Sequence, residues 1–247
     1  VRQPLNVSMA IIIFFIVGLI NGVPTDSNRI SKVEKGTPAY EAGLKKGDVI
    51  YQINNNVIRS NDHLMLLIQV NGDKKMNMIV KRDGKKEAIV VTPKKIKQDG
   101  ETKYQYGFAL QNKIVKGFLP ALKYGFTKTF SLIHQMILVI GYLILGKLSV
   151  GSLAGPVGIY TVVGESAKAG FLNLVYLVGF LSLNVGFINL LPIPAFDGGR
   201  LLFLIIEKIK GSPVNPRVEN TIHSIGFVCL MLLMIFITYN DILRLFH

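Results

Sequence analysis

The sequence predicts an α-helical membrane protein, with about three transmembrane helices plus interfacial helices, that carries an inserted soluble α+β domain. Half of its 247 residues are hydrophobic, and the mean hydropathy is positive, which is unusual for a protein that is wholly surrounded by water. The apolar residues are concentrated in 1–24 and 118–247, whereas the stretch between them is polar and rich in lysine. This uneven distribution is typical of membrane helices interrupted by one water-exposed domain.

The net charge of +13 does not indicate a nucleic-acid-binding protein. The chain has neither a basic stripe interleaved with aromatic residues nor a nucleic-acid-binding motif. Attraction of lysine and arginine to anionic lipid headgroups explains the charge more simply, so membrane lipid is the expected partner. The only cysteine is Cys229, which excludes a disulfide framework within the chain and a metal site built from cysteines.

The first hydrophobic segment is VSMAIIIFFIVGLINGV (7–23), which follows Arg2. A signal peptide is one interpretation, but no Ala-x-Ala cleavage site follows the apolar run. A transmembrane helix needs about 20 residues, and Pro4–Val23 just supplies them. We therefore predict a transmembrane helix over 1–24.

The polar insert, residues 26–116, has the alternation and turn signals of a small α+β domain. Strands are expected at RISKV and DVIYQIN, where apolar and polar residues alternate. A short helix should begin at Thr37 and end at Gly43, and HLMLLIQV (63–70) should form a second helix. The stretch MNMIVKRDGKKEAIVVTP predicts a hairpin that turns at Asp83-Gly84.

Within this insert, GTPAYEAGLKKGDVIYQINN resembles the signature of bacterial PDZ domains, over Ile30 to about Thr92. The resemblance implies a domain that binds an extended peptide by adding it as a strand to a sheet edge. The later sequence YGFAL (106–110) resembles the loop that binds a terminal carboxylate, which would place peptide-binding groups at Gly107 and Phe108. An ordinary edge strand is the alternative interpretation of YGFAL.

The region 118–160 is apolar but interrupted by polar residues. Lys123, Lys128 and Lys147 are spaced through it, and LAGPVGIY (153–160) is broken by glycine and proline. Amphipathic helices that lie in the membrane interface accommodate such lysines better than a transmembrane helix does. We therefore expect an interfacial or re-entrant region here.

The C-terminal region, 171–247, predicts two crossings, at Phe171–Leu191 and Ile222–Tyr239, with a short helix over Leu201–Ile209 between them. The loop between the crossings is basic, since it holds Arg200, Lys208, Lys210 and Arg217. Short basic loops remain in the cytoplasm. The expected protein is therefore a multi-pass protein of the bacterial cytoplasmic membrane, with the insert outside the cytoplasm.

The first of these crossings ends in NLLPIPAFDGGR (189–200), which is costly at membrane depth. In one interpretation, Asp197 caps the following helix, the prolines end the preceding one, and Asn184 and Asn189 hydrogen-bond neighbouring helices. In the other, the broken backbone and the ionisable group form a functional site, because both are tolerated there only inside protein or a water-filled cavity.

The whole segment resembles the second conserved motif of site-2 proteases, the intramembrane zinc metalloproteases. Their pattern is N-x-x-P-x-P-x-x-D-G-G, and it is matched by Asn189, Pro192, Pro194, Asp197, Gly198 and Gly199. LAGPVGI resembles the family's L-S-G-P-x-x-I with Ala154 in place of serine, and NDILRL resembles the end of the bacterial members. A single PDZ domain inserted after the second family helix is typical of the Gram-positive type.

The resemblance implies roles for these residues. Asp197 would be the third ligand of a catalytic Zn²⁺, in a site of two histidines and one carboxylate. Asn189 would be catalytic, as a donor to the substrate backbone or the oxyanion. Asn184, Pro192 and Pro194 would help to bind and unwind the substrate helix, and Gly198 and Gly199 would allow close approach around the metal.

The chain departs from the family in its histidines. The family's H-E-x-x-H motif, which supplies two zinc ligands and a general base, is absent. The histidines His63, His134, His223 and His247 form no pair four residues apart, so none is taken as a ligand, and His223 is expected to be an interfacial histidine. We interpret the chain as a piece of a protease that lacks the family's first helix.

The function implied by the resemblance is hydrolysis of a peptide bond within a single-pass membrane protein, such as an anti-sigma factor. The alternative is a catalytically inert, membrane-anchored PDZ protein that binds or scaffolds exported chains. A small transporter with a broken helix is disfavoured, because the chain has no matching second broken segment.

Overall fold

The computed structural model describes residues 3–24, 28–98 and 101–245. Eight α-helices lie in this part of the chain: α1 (Gln3–Asn21), α2 (Pro38–Glu41), α3 (Asn61–Asn71), α4 (Phe118–Ile144), α5 (Pro156–Lys168), α6 (Phe171–Leu190), α7 (Asp197–Lys210) and α8 (Pro216–Leu245). The described residues form two compact units. One contains 21–120 and 130–148, and the other contains the residues up to 20, 121–129 and those from 149 onwards.

The first unit contains all ten described strands. They are β1 (Val23–Pro24), β2 (Ile30–Val33), β3 (Val49–Ile53), β4 (Asn56–Val57), β5 (Met76–Arg82), β6 (Lys85–Val91), β7 (Lys94–Gln98), β8 (Glu101–Gln105), β9 (Phe108–Leu110) and β10 (Ile114–Val115). A four-stranded antiparallel sheet has the order β4-β3-β5-β6, and three two-stranded pairs join β1 to β10, β2 to β9 and β7 to β8. We call residues 28–116 the insert domain.

The insert domain confirms the predicted α+β class. Its core consists of fully buried aliphatic side chains from strands and helices, among them Ile30, Ile50, Leu64, Met78 and Val80. The β5–β6 hairpin turns where expected. Asp83 and Gly84 both have positive φ (49° and 80°), which is typical of the tight turn that matches strand twist. The β7–β8 pair was not predicted, because lysine and glutamine dominate its sequence.

A buried ion pair fixes the turn before β3. Asp48 is only 1% exposed, and Arg82 of β5 donates to both of its carboxylate oxygens, at 2.8 Å from Nε and 2.7 Å from Nη2. The backbone N–H of Lys45 donates to the same carboxylate at 2.9 Å. Burial alone would raise the pKa of Asp48, but the bonds from Arg82 and Lys45 outweigh it and hold that pKa below its usual 3.8.

Among the described residues, four helices are long and apolar enough to cross a membrane: α1, α4, α6 and α8. Three of them coincide with the predicted crossings. The fourth, α4, is one unbroken helix of 27 residues where an interfacial or re-entrant region was expected. Length and composition alone therefore admit a fourth crossing, and the interfacial assignment of this region stays a prediction.

In the second unit, α1 packs on α6 through small residues. A Cβ on Gly179 would lie 2.8 Å from Ile13 Cγ2, and one on Gly186 would lie 2.9 Å from Asn6 Cβ. These glycines are seven residues apart, so they share one face of α6, together with the fully buried Leu183. Lipid tails are as apolar as leucine, so helices in a membrane associate by such close packing.

A carboxylate near the end of α8 holds the start of α5. Asp241 is 4% exposed, and its Oδ2 accepts the backbone N–H groups of Gly155, at 2.9 Å, and Gly158, at 2.8 Å. A Cβ on Gly155 would lie 2.8 Å from that same oxygen. The sequences LAGPVG and NDILRL therefore meet, and the carboxylate satisfies N–H groups that a helix start leaves without partners.

Replacement of Asp48 should destabilise the insert domain. Asp48→Asn removes the buried charge partner of Arg82 and leaves it only the more exposed Glu87, which should cost about 3 kcal/mol. The check is hydrogen exchange of β5, measured in the detergent-purified chain. Asp83→Asn is the matched control, since Asp83 is exposed at the hairpin turn, and equal exchange in the two variants would contradict the prediction.

The same contact predicts a pH dependence. The pKa of Asp48 is lower in the folded state than its usual 3.8. The stabilisation is therefore complete above the unfolded-state pKa and is lost as the pH falls through the folded-state value. In acid titrations followed by β5 exchange, the wild-type should lose stability below about pH 4 more steeply than Asp48→Asn does. Parallel curves would show that Asp48 does not carry this dependence.

Replacement of Asp241 should loosen the start of α5. Asp241→Ala leaves two buried N–H groups without their acceptor and should cost about 2 kcal/mol. Asp241→Asn keeps one carbonyl oxygen and should cost less. The unfolding temperatures of the two variants are compared in mild detergent by circular dichroism. Equal unfolding temperatures for Asp241→Ala and Asp241→Asn would refute the capping role.

Candidate functional site

The motif predicted at the end of the first C-terminal crossing forms a break between two helices. Helix α6 ends at Leu190 and α7 begins at Asp197, and the six residues between them are not helical. Pro192 and Pro194 have no N–H group to continue a helix, which explains the end of α6. The intervening backbone forms tight turns, in which Ile193 N–H donates to Leu191 O at 2.7 Å and Phe196 N–H donates to Ile193 O at 3.2 Å.

Two glycines allow α7 to begin directly against this break. A Cβ on Gly198 would lie 2.2 Å from Leu191 O, and a Cβ on Gly199 would lie 2.7 Å from Ile193 O. Both distances are shorter than any real contact of a Cβ with a backbone oxygen, and both glycines are buried. The Gly-Gly pair that the sequence placed here is thus required by close approach of two backbones.

Asp197 is the first residue of α7, and it is exposed. The residue at the capping position is Phe196, which makes no side-chain cap bond. The interpretation of Asp197 as a simple helix cap is therefore wrong by one position. Its negative charge lies in the first turn, and Lys208 and Lys210 lie in the last turn, which is the arrangement that the helix dipole favours.

The two asparagines of α6 lie at different places on the helix. Asn184 is half-buried, and its side-chain amide donates to Phe180 O of its own helix at 2.9 Å. Asn189 is half-buried one residue before the end of α6, next to the break. Pro192 is exposed and Pro194 is half-buried. Asn189, Pro192, Pro194 and Asp197 are thus all part of the break or its immediate borders.

The sequence did not predict the contact of His223 with this break. His223 lies in the second turn of α8, and its Nδ1 accepts the backbone N–H of Ala195 at 3.1 Å. Its side chain is 20% exposed, and its expected position at the membrane interface stays a prediction. The missed signal was the histidine itself, because an acceptor in an apolar helix indicates a donor nearby.

Two other histidines belong to a different unit from the one that contains the break. His63 of α3 and His134 of α4 belong to the insert-domain unit, and their rings meet edge to face at 5.5 Å. Burial, with His134 and Arg59 nearby, lowers the pKa of His63. His247 lies outside the described residues.

In the insert domain, peptide binding was predicted at Gly107 and Phe108. Phe108 begins β9, whose register pairs it with Val33 of β2. Gly107 has φ 88°, and a Cβ there would lie within bonding distance of the Thr37 side chain, so no other residue fits. The last three residues of YGFAL thus form a strand in this structure, and the role of the segment in binding peptide stays a prediction.

The described residues do not form a complete metal site. Within 3–24, 28–98 and 101–245, no three histidine, cysteine, aspartate or glutamate side chains lie close enough to hold a metal ion together. Asp197 nevertheless has the donor chemistry that zinc accepts. The break can therefore provide one ligand to a metal, and further ligands would have to come from elsewhere.

Comparison with known families gives a match over most of the chain. The model of "Peptidase family M50" matches residues 4–233. The matched range contains all but the first three residues of the first predicted crossing, the whole insert domain and the whole break between α6 and α7.

Curated relatives match nearly the full chain. The chain is 41% identical over 242 residues to the zinc metalloprotease RasP of Bacillus licheniformis and 42% identical over 243 residues to the regulator of sigma-W protease RasP of Bacillus subtilis. It is 37% identical to the probable protease eep of Enterococcus faecalis. Each alignment covers 98% of this chain but 57% of the relative, so the chain spans little more than half the length of these proteins.

Among solved structures, the PDZ domain of an SdrC-like protein from Listeria monocytogenes matches with a TM-score of 0.31 and 22% identity. That match covers 36% of this chain and 90% of the Listeria domain.

The close contacts of the glycines predict the effect of adding one methyl group. Gly198→Ala should push α7 away from Leu191 and cost on the order of 2 kcal/mol, since the clash is with backbone and cannot be relieved by a rotamer change. Thermal unfolding in mild detergent measures this. Gly164→Ala is the control, because a Cβ on Gly164 of α5 meets nothing within 4 Å, and equal unfolding temperatures in the two variants would contradict the packing.

Proposed function

This chain belongs to peptidase family M50, the site-2 proteases, and from that premise we propose that it forms the part of an intramembrane zinc metalloprotease that supplies the third metal ligand and handles the substrate. The observation that carries the proposal is the break between α6 and α7. It delivers a carboxylate, Asp197, at the border of an apolar helix, and glycine packing fixes its place. An ionisable group at such a site indicates function.

Asp197 is the proposed zinc ligand of this chain. A catalytic zinc site needs three protein ligands and keeps a fourth position open. The described residues hold no such cluster, so we propose that the remaining ligands belong to a part of the protein that this chain does not contain. A bound zinc would acidify a water molecule and polarise the scissile carbonyl. The exposure of Asp197 leaves its carboxylate accessible to a metal held by those other ligands.

Asn189 is the proposed donor to the substrate. Its amide can donate to the carbonyl of an extended substrate strand, and such a donor stabilises the charge that develops on the oxygen during cleavage. The non-helical residues Leu191–Phe196 leave backbone groups near Asn189 that are not used by a helix. We propose that Pro192 and Pro194 keep this backbone open, so that an unwound substrate segment can pair with it, while Asn184 borders the same path one turn earlier.

The proposed membrane topology follows from the position of the basic loop and from the number of helices that cross the membrane. The loop between α6 and α8 carries Arg200, Lys208, Lys210 and Arg217 and should lie in the cytoplasm. If α1, α6 and α8 cross and α4 does not, this loop lies opposite the insert domain, which is then outside the cytoplasm. A crossing of α4 would place the basic loop on the same side as the insert domain.

Contacts within the insert-domain unit also favour a non-crossing α4. Ser131 donates to the carboxylate of Asp62 at 3.0 Å, and His134 packs on His63. These residues of α3 belong to a water-exposed domain, so the second half of α4 lies at that domain's surface. We therefore propose an interfacial position for α4, in the cytoplasmic membrane of a bacterium.

The proposed substrates are single-pass membrane proteins. The Bacillus subtilis relative is named regulator of sigma-W protease RasP. By analogy, we propose that an anti-sigma factor, already shortened outside the membrane, is a substrate of the complete protein. The insert domain would then receive the new chain end or exclude longer chains.

The role of Asp197 predicts the loss of cleavage and of zinc together. In the complete protein, assayed in membranes with a single-pass substrate, Asp197→Asn should abolish cleavage and reduce the zinc content well below one ion per chain, because a neutral amide is a poor zinc ligand. Elemental analysis and the appearance of the cleaved fragment are the two readouts.

Glu165→Gln is the matched control, since Glu165 is an exposed acid of α5 far along the chain from the break. It should retain both zinc and cleavage. Cleavage by Asp197→Asn at the wild-type rate would exclude the ligand role. A complete wild-type protein that binds peptides, holds no zinc and cleaves no peptide would support the inert scaffold instead.

A further inference from the structure

The backbone of Ala195 has an unfavourable conformation two residues before Asp197. Its φ is 102°, in the region that favours glycine. Among the described residues, the other non-glycine positions with positive φ are Asn54, Asn55 and Asp83. Asparagine and aspartate tolerate this region because their side chains bond locally. Alanine has no such help, so another part of the protein must hold it there.

Helix α8 supplies that help through a hydrogen bond. The N–H of Ala195 donates to Nδ1 of His223 at 3.1 Å, across 28 residues of sequence. In a membrane protein, a backbone N–H that is not in a helix needs an acceptor from the protein. Because Nδ1 accepts, the ring proton is assigned to Nε2. Nε2 is buried without a hydrogen-bond partner among the described residues, and Oε1 of Glu219, one turn earlier in α8, lies 3.9 Å from it.

A second contact of α8 positions the same loop. A Cβ on Gly226 would lie 2.3 Å from the carbonyl oxygen of Pro194. Gly226 follows His223 by three residues, so the two share one face of α8. The imidazole also packs on Phe203 of α7, with ring centroids 5.6 Å apart. His223 therefore contacts the chain on both sides of Asp197.

We propose that His223 is a positioning residue, which holds Ala195 in its left-handed conformation and thereby directs the carboxylate of Asp197. The inference rests on the proposed function of Asp197 as a metal ligand. His223 is not itself a ligand in this arrangement, because its Nδ1 is occupied by the Ala195 N–H and its Nε2 carries the proton next to Glu219. Gly226 completes the contact by letting α8 approach Pro194.

The first experiment needs no metal. The amide exchange of Ala195 is measured by NMR in the detergent-purified chain, with alanine labelled by ¹⁵N. His223→Asn places a carbonyl oxygen near the position of Nδ1 and should preserve slow exchange. His223→Gln reaches towards the position of Nε2 instead, and it should speed the exchange of Ala195 about tenfold, or by 1.4 kcal/mol in opening free energy. His223→Leu removes every acceptor and should do the same.

The second experiment uses the complete protein. Zinc content and cleavage kinetics are measured for His223→Asn and His223→Gln beside Asp197→Asn. The expected pattern is rescue by asparagine, together with faster loss of zinc to a chelator and a lower kcat at similar KM for the glutamine variant. A merely structural role would lower the unfolding temperature of both variants alike and would not separate them by this pattern.

The two experiments separate failure of this inference from failure of the proposed function. If Ala195 exchanges equally in wild-type, asparagine and glutamine variants, the positioning role is overturned, whatever Asp197 does. If the glutamine variant exposes Ala195 but keeps zinc and kcat while Asp197→Asn loses both, the positioning role is again overturned and the ligand role stands. If Asp197→Asn itself keeps zinc and cleavage, the proposed function fails, and the inference, which rests on it, fails too.

Discussion

Where a helix is interrupted in an apolar part of the chain, its backbone N–H and C=O groups need hydrogen-bond partners from elsewhere in the protein. The membrane-embedded unit depends on meeting this constraint. Helices satisfy their own N–H and C=O groups, and breaks between them do not. This chain has breaks before α5 and between α6 and α7, and α8 serves both. Asp241 accepts two N–H groups at the first break, and His223 accepts one at the second. Because they are 18 positions apart in sequence, these two side chains are about 27 Å apart along the helix.

Glycine allows the helices to pack closely against the interrupted backbone. At Gly198, Gly199 and Gly226, a single methyl group would collide with backbone atoms of Leu191, Ile193 or Pro194. Such contacts bring the interrupted segment close enough to helices for hydrogen bonds and dispersion to act over its length. The pair of glycines in the motif is therefore explained by geometry, without any appeal to the metal. Asp197, in contrast, is exposed and does not occupy the capping position.

Local patterns predicted most of the fold, because most of it is determined locally. Alternation gave the strands of the insert domain, and Asp83-Gly84 gave the hairpin turn. The motif from Asn189 to Gly199 was located correctly as a break between helices. The partners of the breaks were not predicted, because the bonds of His223 and Asp241 join residues 28 and 86 positions apart. No periodicity records such contacts. The lysines of α4 suggested interruption, yet their long stems leave an unbroken helix intact.

The disagreement between local preference and observed structure is concentrated at one place. Ala195 has a backbone conformation that alanine avoids, Pro192 and Pro194 prevent a helix where the flanking sequence favours one, and Asp197 is charged at the border of an apolar segment. A fold that needed only a turn between α6 and α7 could use glycine at 195 and a neutral residue at 197. Natural sequences tolerate such conflicts at functional sites and offset them elsewhere. Here the offset is supplied by α8, which makes this helix a part of the proposed active site although it carries no residue of the N-x-x-P-x-P-x-x-D-G-G motif.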